Sequence, residues 1–494
     1  MSCRNARTTG IVAALLAAAL AGCAVGPDYI RPDAPTAPTY KEAPQDGGAT
    51  WLPAAPADTL DRGDWWRLFD DPELARLAGE LDAANQTIAA AVASYRQAQA
   101  LVKEARASYF PSVSGSLSAQ RTGGGTVQGG NSSVAQSTAG NRFNVSVNGD
   151  WAPDFWGRVS RTVESARASE SASVADLAAA RLSAQGELAI DYFSLREADF
   201  EADLLARTIE GYERALAITQ NRYAAGVVAK TDVLQAETQL ATTRASLTTV
   251  RANRARFEHA IAVLTGKAPG AVTIAPAPWS AVVPGVPLGV PSDLLQRRPD
   301  IASAERQVAA ANAQIGVERS AYFPSVTLGA SIGNGGARIG DLFSVSAAVW
   351  SIGVTASQLI FDAGATSARV AGAEAARDAA IARYRQTVLT AFQAVEDQLA
   401  NARAQAEQAA FLKTASDAAD LTEQQILNRY RAGQLSYTDV VTAQASALSA
   451  RRALVQVAVN RQVSAITLIQ ALGGGWDVNA PVQTESSVRA ANPR

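Results

Sequence analysis

Histidine and cysteine are almost absent from this 494-residue chain. There is one histidine, His259, and there are two cysteines, Cys3 and Cys23. The usual His and Cys ligand set of a transition-metal site cannot be assembled from them. No nucleophile–base pair stands out. The Gly-rich segment 123–130 lacks the Lys-Ser/Thr that a phosphate loop needs. These absences argue against an enzyme and predict neither metal nor cofactor. His259 is expected on a helix surface or seam. What remains is the thiol of Cys23 and a pair of carboxylates, Asp232 and Asp439, that recur at matching places in a repeated motif.

The thiol sits at the end of a targeting segment. Arg4 and Arg7 precede an apolar run, Ile11 to Ala21, too short to span a bilayer, and Leu20-Ala21-Gly22-Cys23 closes it with small residues. The pattern resembles a bacterial lipoprotein signal, residues 1–22, with cleavage before Cys23 and acylation of its thiol. Ala24 follows; an Asp there would resemble an inner-membrane retention signal, so its absence fits the outer membrane. Loss of Cys3 with the signal leaves no disulfide partner. Several acyl chains on Cys23 would anchor the chain stably, where one alone would bind marginally. Without residues 1–22 the balance is 42 basic against 46 acidic side chains. That speaks against nucleic acid, which wants a basic face. No later stretch of about 18 apolar residues offers a transmembrane helix.

The elements that must position these groups come in two copies. Tyr109-Phe110-Pro111-Ser112-Val113 reappears as Tyr322-Phe323-Pro324-Ser325-Val326, 213 residues on. Asn221-Arg222-Tyr223-Ala224-Ala225-Gly226, followed by Thr231-Asp232-Val233, reappears as Asn428-Arg429-Tyr430-Arg431-Ala432-Gly433, followed by Thr438-Asp439-Val440, 207 residues on. The difference of six predicts a shorter segment between the motifs of the second copy. Such duplication sets the architecture. The chain divides into a tail over 23–60, a first repeat over 61–267, a Pro-rich linker over 268–291, a second repeat over 292–476 and a C-terminal tail over 477–494.

Within each copy the period changes. A helical pattern runs from about Asp71 to Ser108, and Pro111 ends it. Val113, Gly115, Leu117 and Ala119 then alternate with Ser112, Ser114, Ser116, Ser118 and Gln120, which predicts a strand with one apolar and one polar face. Phe143, Val145 and Val147 alternate likewise up to Trp151. Val326, Leu328, Ala330 and Ile332 repeat the pattern, and a return strand is expected over about Val345 to Leu359. The loops between strands, 121–141 and about 334–343, account for the six-residue difference and suggest an exposed tip. Helices are predicted over about 158–224, 231–265, 365–432 and 436–472. Val233, Leu240, Leu247, Arg254 and Ile261 step by seven, as do Val440, Ala447, Leu454, Arg461 and Leu468. Seven-residue seams make left-handed coiled coils.

Four strands cannot close a membrane barrel, whose smallest examples have about eight. Three chains would supply twelve, and the same symmetry would close the helices into a tube. The fold class expected is therefore α+β: an internally duplicated membrane protein with long coiled-coil helices and four strands per chain. Its trimer would form a 12-stranded β-barrel continuous with a periplasmic α-helical barrel.

Several motifs in order resemble one family. Cys23-Ala24-Val25-Gly26-Pro27-Asp28-Tyr29 with Arg31-Pro32, Trp65-Trp66 with Phe69-Asp70-Asp71-Pro72, the repeated Tyr-Phe-Pro-Ser and Leu294-Leu295-Gln296-Arg297-Arg298-Pro299-Asp300 are similar to OprM-like (NodT-type) outer-membrane efflux lipoproteins of the TolC family. The resemblance covers nearly all of 23–476. It implies a homotrimeric outer-membrane channel, lipid-anchored and reaching into the periplasm. Its partners would be a periplasmic adaptor protein and an inner-membrane resistance-nodulation-division pump, and its cargo drugs or other small solutes. A duct for ATP-driven protein secretion and a lipid-anchored coiled-coil scaffold without a pore are the alternatives. The lipoprotein signal favours efflux over secretion, and alternating strands speak against a scaffold.

The resemblance also assigns roles. Asp232 and Asp439 match tip carboxylates of the gate; as first-turn acids they also simply suit the helix dipole. Thr442 and Leu435 stand where some relatives carry a second carboxylate and a basic cross-link. Gly226 and Gly433 suit left-handed helix ends, and the grooves around them would dock the adaptor. Ser436 can cap the next helix in a box with Asp439, whereas the first copy has only Ala229. Tyr223 and Tyr430 could gate, dock or pack against a neighbouring helix. Trp151, Trp156 and Trp350 fit an aromatic belt at the barrel rim, or core packing at the strand–helix junction.

Overall fold

The computed structural model describes residues 25–35, 39–42, 63–123, 140–286, 297–344 and 348–474. Cys23, the signal and the C-terminal tail lie outside them. The elements are α1 (Pro72–Ala84), α2 (Gln86–Ala107), β1 (Ser112–Thr122), β2 (Gly140–Trp151), α3 (Arg158–Ala224) and α4 (Lys230–Leu264), followed by α5 (Pro299–Arg319), β3 (Ser325–Gly336), β4 (Ala348–Ser357), α6 (Ala365–Arg431) and α7 (Tyr437–Ala471). The chain forms two compact units. One comprises residues 1–33, 95–172 and 304–384; the other comprises 34–94, 173–303 and 385–494.

The first unit carries a four-stranded antiparallel sheet in the order β1-β2-β3-β4, so the two repeats meet where β2 pairs with β3. Register decides the faces. Leu117 opposes Val145, Val147 opposes Ile332, and Ile332 opposes Trp350. Every apolar residue of the alternation thus falls on one continuous face, and that face is exposed: Leu117 is 75% accessible and Trp350 72%. The opposite face is mostly Ser, Thr, Asn and Gly, with Gln120, Arg142, Asp150 and Val349 among them, and is stitched by hydroxyl pairs such as Ser116–Ser146 and Ser331–Ser351. Among the described residues, β1 and β4 each leave one edge unpaired. The strands are 10–12 residues long, the length a tilted strand needs to cross a bilayer. Seventeen residues separate β1 from β2 and eleven separate β3 from β4. This is the six-residue difference between the copies.

The second unit holds the main core. Trp65, Trp66 and Phe69 pack edge-on with Leu74, Leu77 and Leu81 of α1, against Leu188, Tyr192 and Leu195 of α3, Ile261 of α4 and Ile466 and Ile469 of α7. The seven-residue seams are real: Val233, Leu240, Leu247, Ile261, Val440, Ala447 and Leu468 are buried. Leu205, Ile209 and Tyr212 of α3 meet Leu240, Leu247 and Val250 of α4. His259 is exposed on α4.

One expectation fails. The helical pattern from 71 to 108 is two helices, broken at Asn85. Asn85 adopts an extended backbone, its Oδ1 accepts from Ile88 N at 3.0 Å, and its Nδ2 donates to Leu264 O at 2.8 Å. One buried amide therefore starts α2 and closes the carboxyl end of α4. An Asn side chain competes with the helix for backbone partners, and here it wins.

Candidate functional sites

In the second unit, α3 turns into α4 and α6 into α7 by the same device. Gly226 has φ +73° and Gly433 +75°. Gly226 N donates to Tyr223 O and Val227 N to Arg222 O; Gly433 N donates to Tyr430 O and Gln434 N to Arg429 O. This is the paired six-to-one and five-to-two bonding of a left-handed helix stop. No atom stands within 4 Å of where a Cβ would lie on either glycine, so backbone conformation, not crowding, demands glycine.

The two turns then differ. Ser436 Oγ accepts from Asp439 N at 3.4 Å, while Ser436 N donates to Asp439 Oδ2 at 3.1 Å, a complete capping box. α4 begins at Ala229 with no side-chain cap, so the half-buried Asp232 has no such duty. Asp439 is exposed but its carboxylate is engaged locally. Thr442 bonds back to Thr438 O at 3.0 Å.

The tyrosines part company as well. Tyr430 is 6% accessible. The Arg222 guanidinium lies 4.8 Å from its ring centroid, and Tyr437 meets it edge-on at 5.5 Å. A gating or docking side chain must be reachable, so Tyr430 is a packing residue. Tyr223 is 45% accessible, with Lys230 Nζ 5.6 Å over its ring. Burial pushes the Tyr437 phenol up to about 12, with nearby Tyr430, Tyr212 and Asp232 adding to the shift. Close by, α3, α6 and α7 border a cleft of about 770 Å³ lined by Arg207, Arg214, Arg222, Arg431 and Arg451 together with Glu423, which pairs with Arg451 at 2.8 Å. Gln444 lines it, with a buried Oε1 that has no partner. The repeated motif contributes Arg222, Tyr430 and Arg431 to its lining; the other arginines are scattered in sequence and form no motif.

A buried polar chain braces the same unit. Asp71 caps α1 and accepts from Tyr192 OH at 2.7 Å. Arg196 donates to Tyr192 OH and to Asp199, and Asp199 accepts from Arg254 at 2.6 Å. Arg254 and Arg196 also hold the carbonyls of Ile274 and Ala275. The arginine at the fourth heptad place therefore pins the Pro-rich linker to α3 and α4. Glu197, next to Arg196 in sequence, has its carboxyl raised to about 7 by burial and by Glu201.

In the first unit the three tryptophans separate. Trp151 ends β2 on the apolar face and donates to Tyr109 O at 3.0 Å. Trp350 lies on the same face, opposite Ile332, four residues along β3 from Leu328, which opposes Trp151. Trp156 lies beyond β2, half-buried, stacked on Phe323 at 4.9 Å and donating to Pro324 O at 2.6 Å. It is a junction residue, not a rim residue. Exposed aromatics do mark all four strand–helix connections: Tyr109 and Phe110, Phe155, Tyr322 and Phe323, and Phe361.

The N-terminal segment is sewn onto this unit. Val25 N donates to Trp156 O at 3.2 Å, and Asn312 Nδ2 to Pro27 O at 2.9 Å. The buried Arg161 guanidinium donates to Asp28 and Gly26 O. Tyr29 OH donates to Glu305, and Arg31 reaches Tyr384 OH at 3.3 Å. Burial and the Glu305 carboxylate raise the Tyr29 phenol. Gly26 has φ +111°, and a Cβ there would come within 2.5 Å of Gly316 Cα. Each member of Gly26-Pro27-Asp28-Tyr29 thus has a partner on α3 or α5.

An amphipathic four-stranded sheet and duplicated long helices set the class of fold, and sequence comparison specifies it. The chain belongs to the outer membrane efflux protein family, whose pattern matches residues 77–267 and 290–474. It is 30% identical over 477 residues to the outer membrane protein OprJ of Pseudomonas aeruginosa, covering 95% of this chain and 96% of that one. It is 28% identical to the cation efflux system protein CusC of Escherichia coli, over 93% and 97% of the two chains. The solved outer-membrane channel OprN superposes with a TM-score of 0.81 at 32% identity, covering 92% of this chain and all of that one.

Proposed function

We propose that three copies of this chain close into a 12-stranded β-barrel continuous with an α-helical barrel. This would be the outer-membrane channel of a tripartite efflux system, a passive exit duct and not an enzyme. The observation that carries the reading is the sheet. Among the described residues its apolar face is bare and both edges are open. In a bilayer every edge amide must be paired, so a spanning sheet has to close on itself. Two further copies satisfy the edges and present the apolar face to lipid.

On this reading Cys23 carries the lipid anchor, and residues 25–31 deliver it to the strand–helix junction. Asp232 and Asp439 line the periplasmic constriction, where clustered carboxylates attract cations. The grooves at Gly226 and Gly433, with the accessible Tyr223, receive an adaptor, and the pump is of the resistance-nodulation-division type. Trp151 and Trp350 contact lipid. The cargo is drugs or other small solutes; the name of CusC shows that cations are carried within the family.

The test is native mass spectrometry of detergent-extracted protein, paired with single-channel recording in planar bilayers. A trimer that conducts supports the duct. A stable monomer, or a trimer silent under every gating condition, overturns it.

A further inference from the structure

A cleft of about 300 Å³ opens at the strand–helix junction of the first unit, within the size range of ligand pockets. Phe155, Trp156, Val159, Phe323, Val326 and Leu359 supply its apolar walls. Most of its polar side chains are already committed. Asp154 accepts from Val159 N and Ser160 N, capping α3. Trp156 Nε1 donates to Pro324 O, Ser320 to Val317 O, and Ser325 to Ser357 O. Arg158 stands exposed at the margin. What the cleft still offers a ligand is therefore mostly hydrocarbon.

The N-terminal segment reaches its wall. Val25 N is bonded to the carbonyl of Trp156, itself a lining residue. Arg161, Asn312 and the close approach of Gly26 to Gly316 hold that segment in register. Cys23 is two residues upstream, and two extended residues reach at most about 7 Å. We infer that this cleft seats one fatty acyl chain carried by Cys23. This rests on the proposed acylation of that cysteine. A seated chain holds the junction from outside, whereas a chain loose in the bilayer would act only as a tether.

The test feeds cells an alkyne fatty acid bearing a diazirine. The full-length protein is then irradiated in its membrane, and the labelled peptides are mapped by mass spectrometry. Acylated Cys23 with crosslinks concentrated in 152–159 and 320–326 is the expected result. Ala321→Trp places a large side chain at the cleft margin. Each methylene displaced from apolar contact lowers occupancy about fourfold, so displacing two cuts these crosslinks about fifteenfold. The Cys23 adduct itself stays intact.

Acylated Cys23 without cleft crosslinks overturns the seat and leaves the anchor standing. Unmodified Cys23 overturns both. A photoactivatable phosphatidylethanolamine gives the remaining arm: cleft labelling by it in the acylated wild type assigns the cleft to free lipid and refutes the inference.

Discussion

The turn at Ser436 separates two ways in which Asp439 could hold a channel shut. Its carboxylate closes a capping box, and it also contributes charge. Asp439→Ala removes both; Asp439→Asn removes the charge and keeps an oxygen that can cap. Ser436 stays as the N-cap in both variants, so losing the Asp439 half of the box costs at most the roughly 1 kcal/mol of a whole cap. Three symmetric turns opening together would shift the closed state by at most about 3 kcal/mol, up to about 100-fold toward open. Asp232 has no cap to lose, so at that position Ala and Asn should behave alike. We expect Asp439→Ala to raise open probability in planar bilayers far more than Asp439→Asn. We expect the double variant Asp232→Asn/Asp439→Asn to lose cation selectivity in a salt gradient. Wild-type conductance and reversal potential in that double variant would show that these carboxylates do not line the constriction. Equal effects of Asn and Ala at 439 would show that the cap is no latch.

Other outcomes follow from single contacts. Leu117→Arg on the exposed apolar face should cost about 2–4 kcal/mol in the bilayer and abolish membrane-inserted trimer, while Ser116→Arg on the opposite face should assemble; equal assembly of both would refute the assignment of faces. Asp199→Ala leaves Arg196 buried without its carboxylate, and truncating one partner of such a pair costs about 3–5 kcal/mol; Trp65 and Trp66 fluorescence should report earlier urea unfolding, with a smaller loss for Asp199→Asn. Glu197 ionises at about 7 when folded against its ordinary 4.5. The folded state binds the proton more tightly, so the stability it contributes is present below about pH 4.5 and lost as pH rises through 7. Glu197→Gln should flatten the pH dependence of melting over that window, and an unchanged slope would remove Glu197 as its cause.

Much of this architecture was legible in the residues alone, wherever the cause is local. The α3 boundaries, the strand alternation, the Gly226 and Gly433 stops and the Ser436–Asp439 box each depend on groups within a few positions. The six-residue loop difference needed only the offset between motifs. The family resemblance likewise rested on contiguous runs such as Gly26-Pro27-Asp28-Tyr29.

Tertiary structure decided whatever depends on a partner far along the chain. Tyr223 and Tyr430 share a motif, yet Tyr430 is buried because Arg222 and Tyr437 close over it. Asn85 breaks a regular helical pattern because Leu264, 179 positions away, offers a carbonyl. Trp156 left the rim because Phe323 gave it a face to stack on. Arg254 holds a heptad place while serving a linker twenty residues on. Periodicity records which way a side chain points. It carries no trace of which distant group will be waiting there.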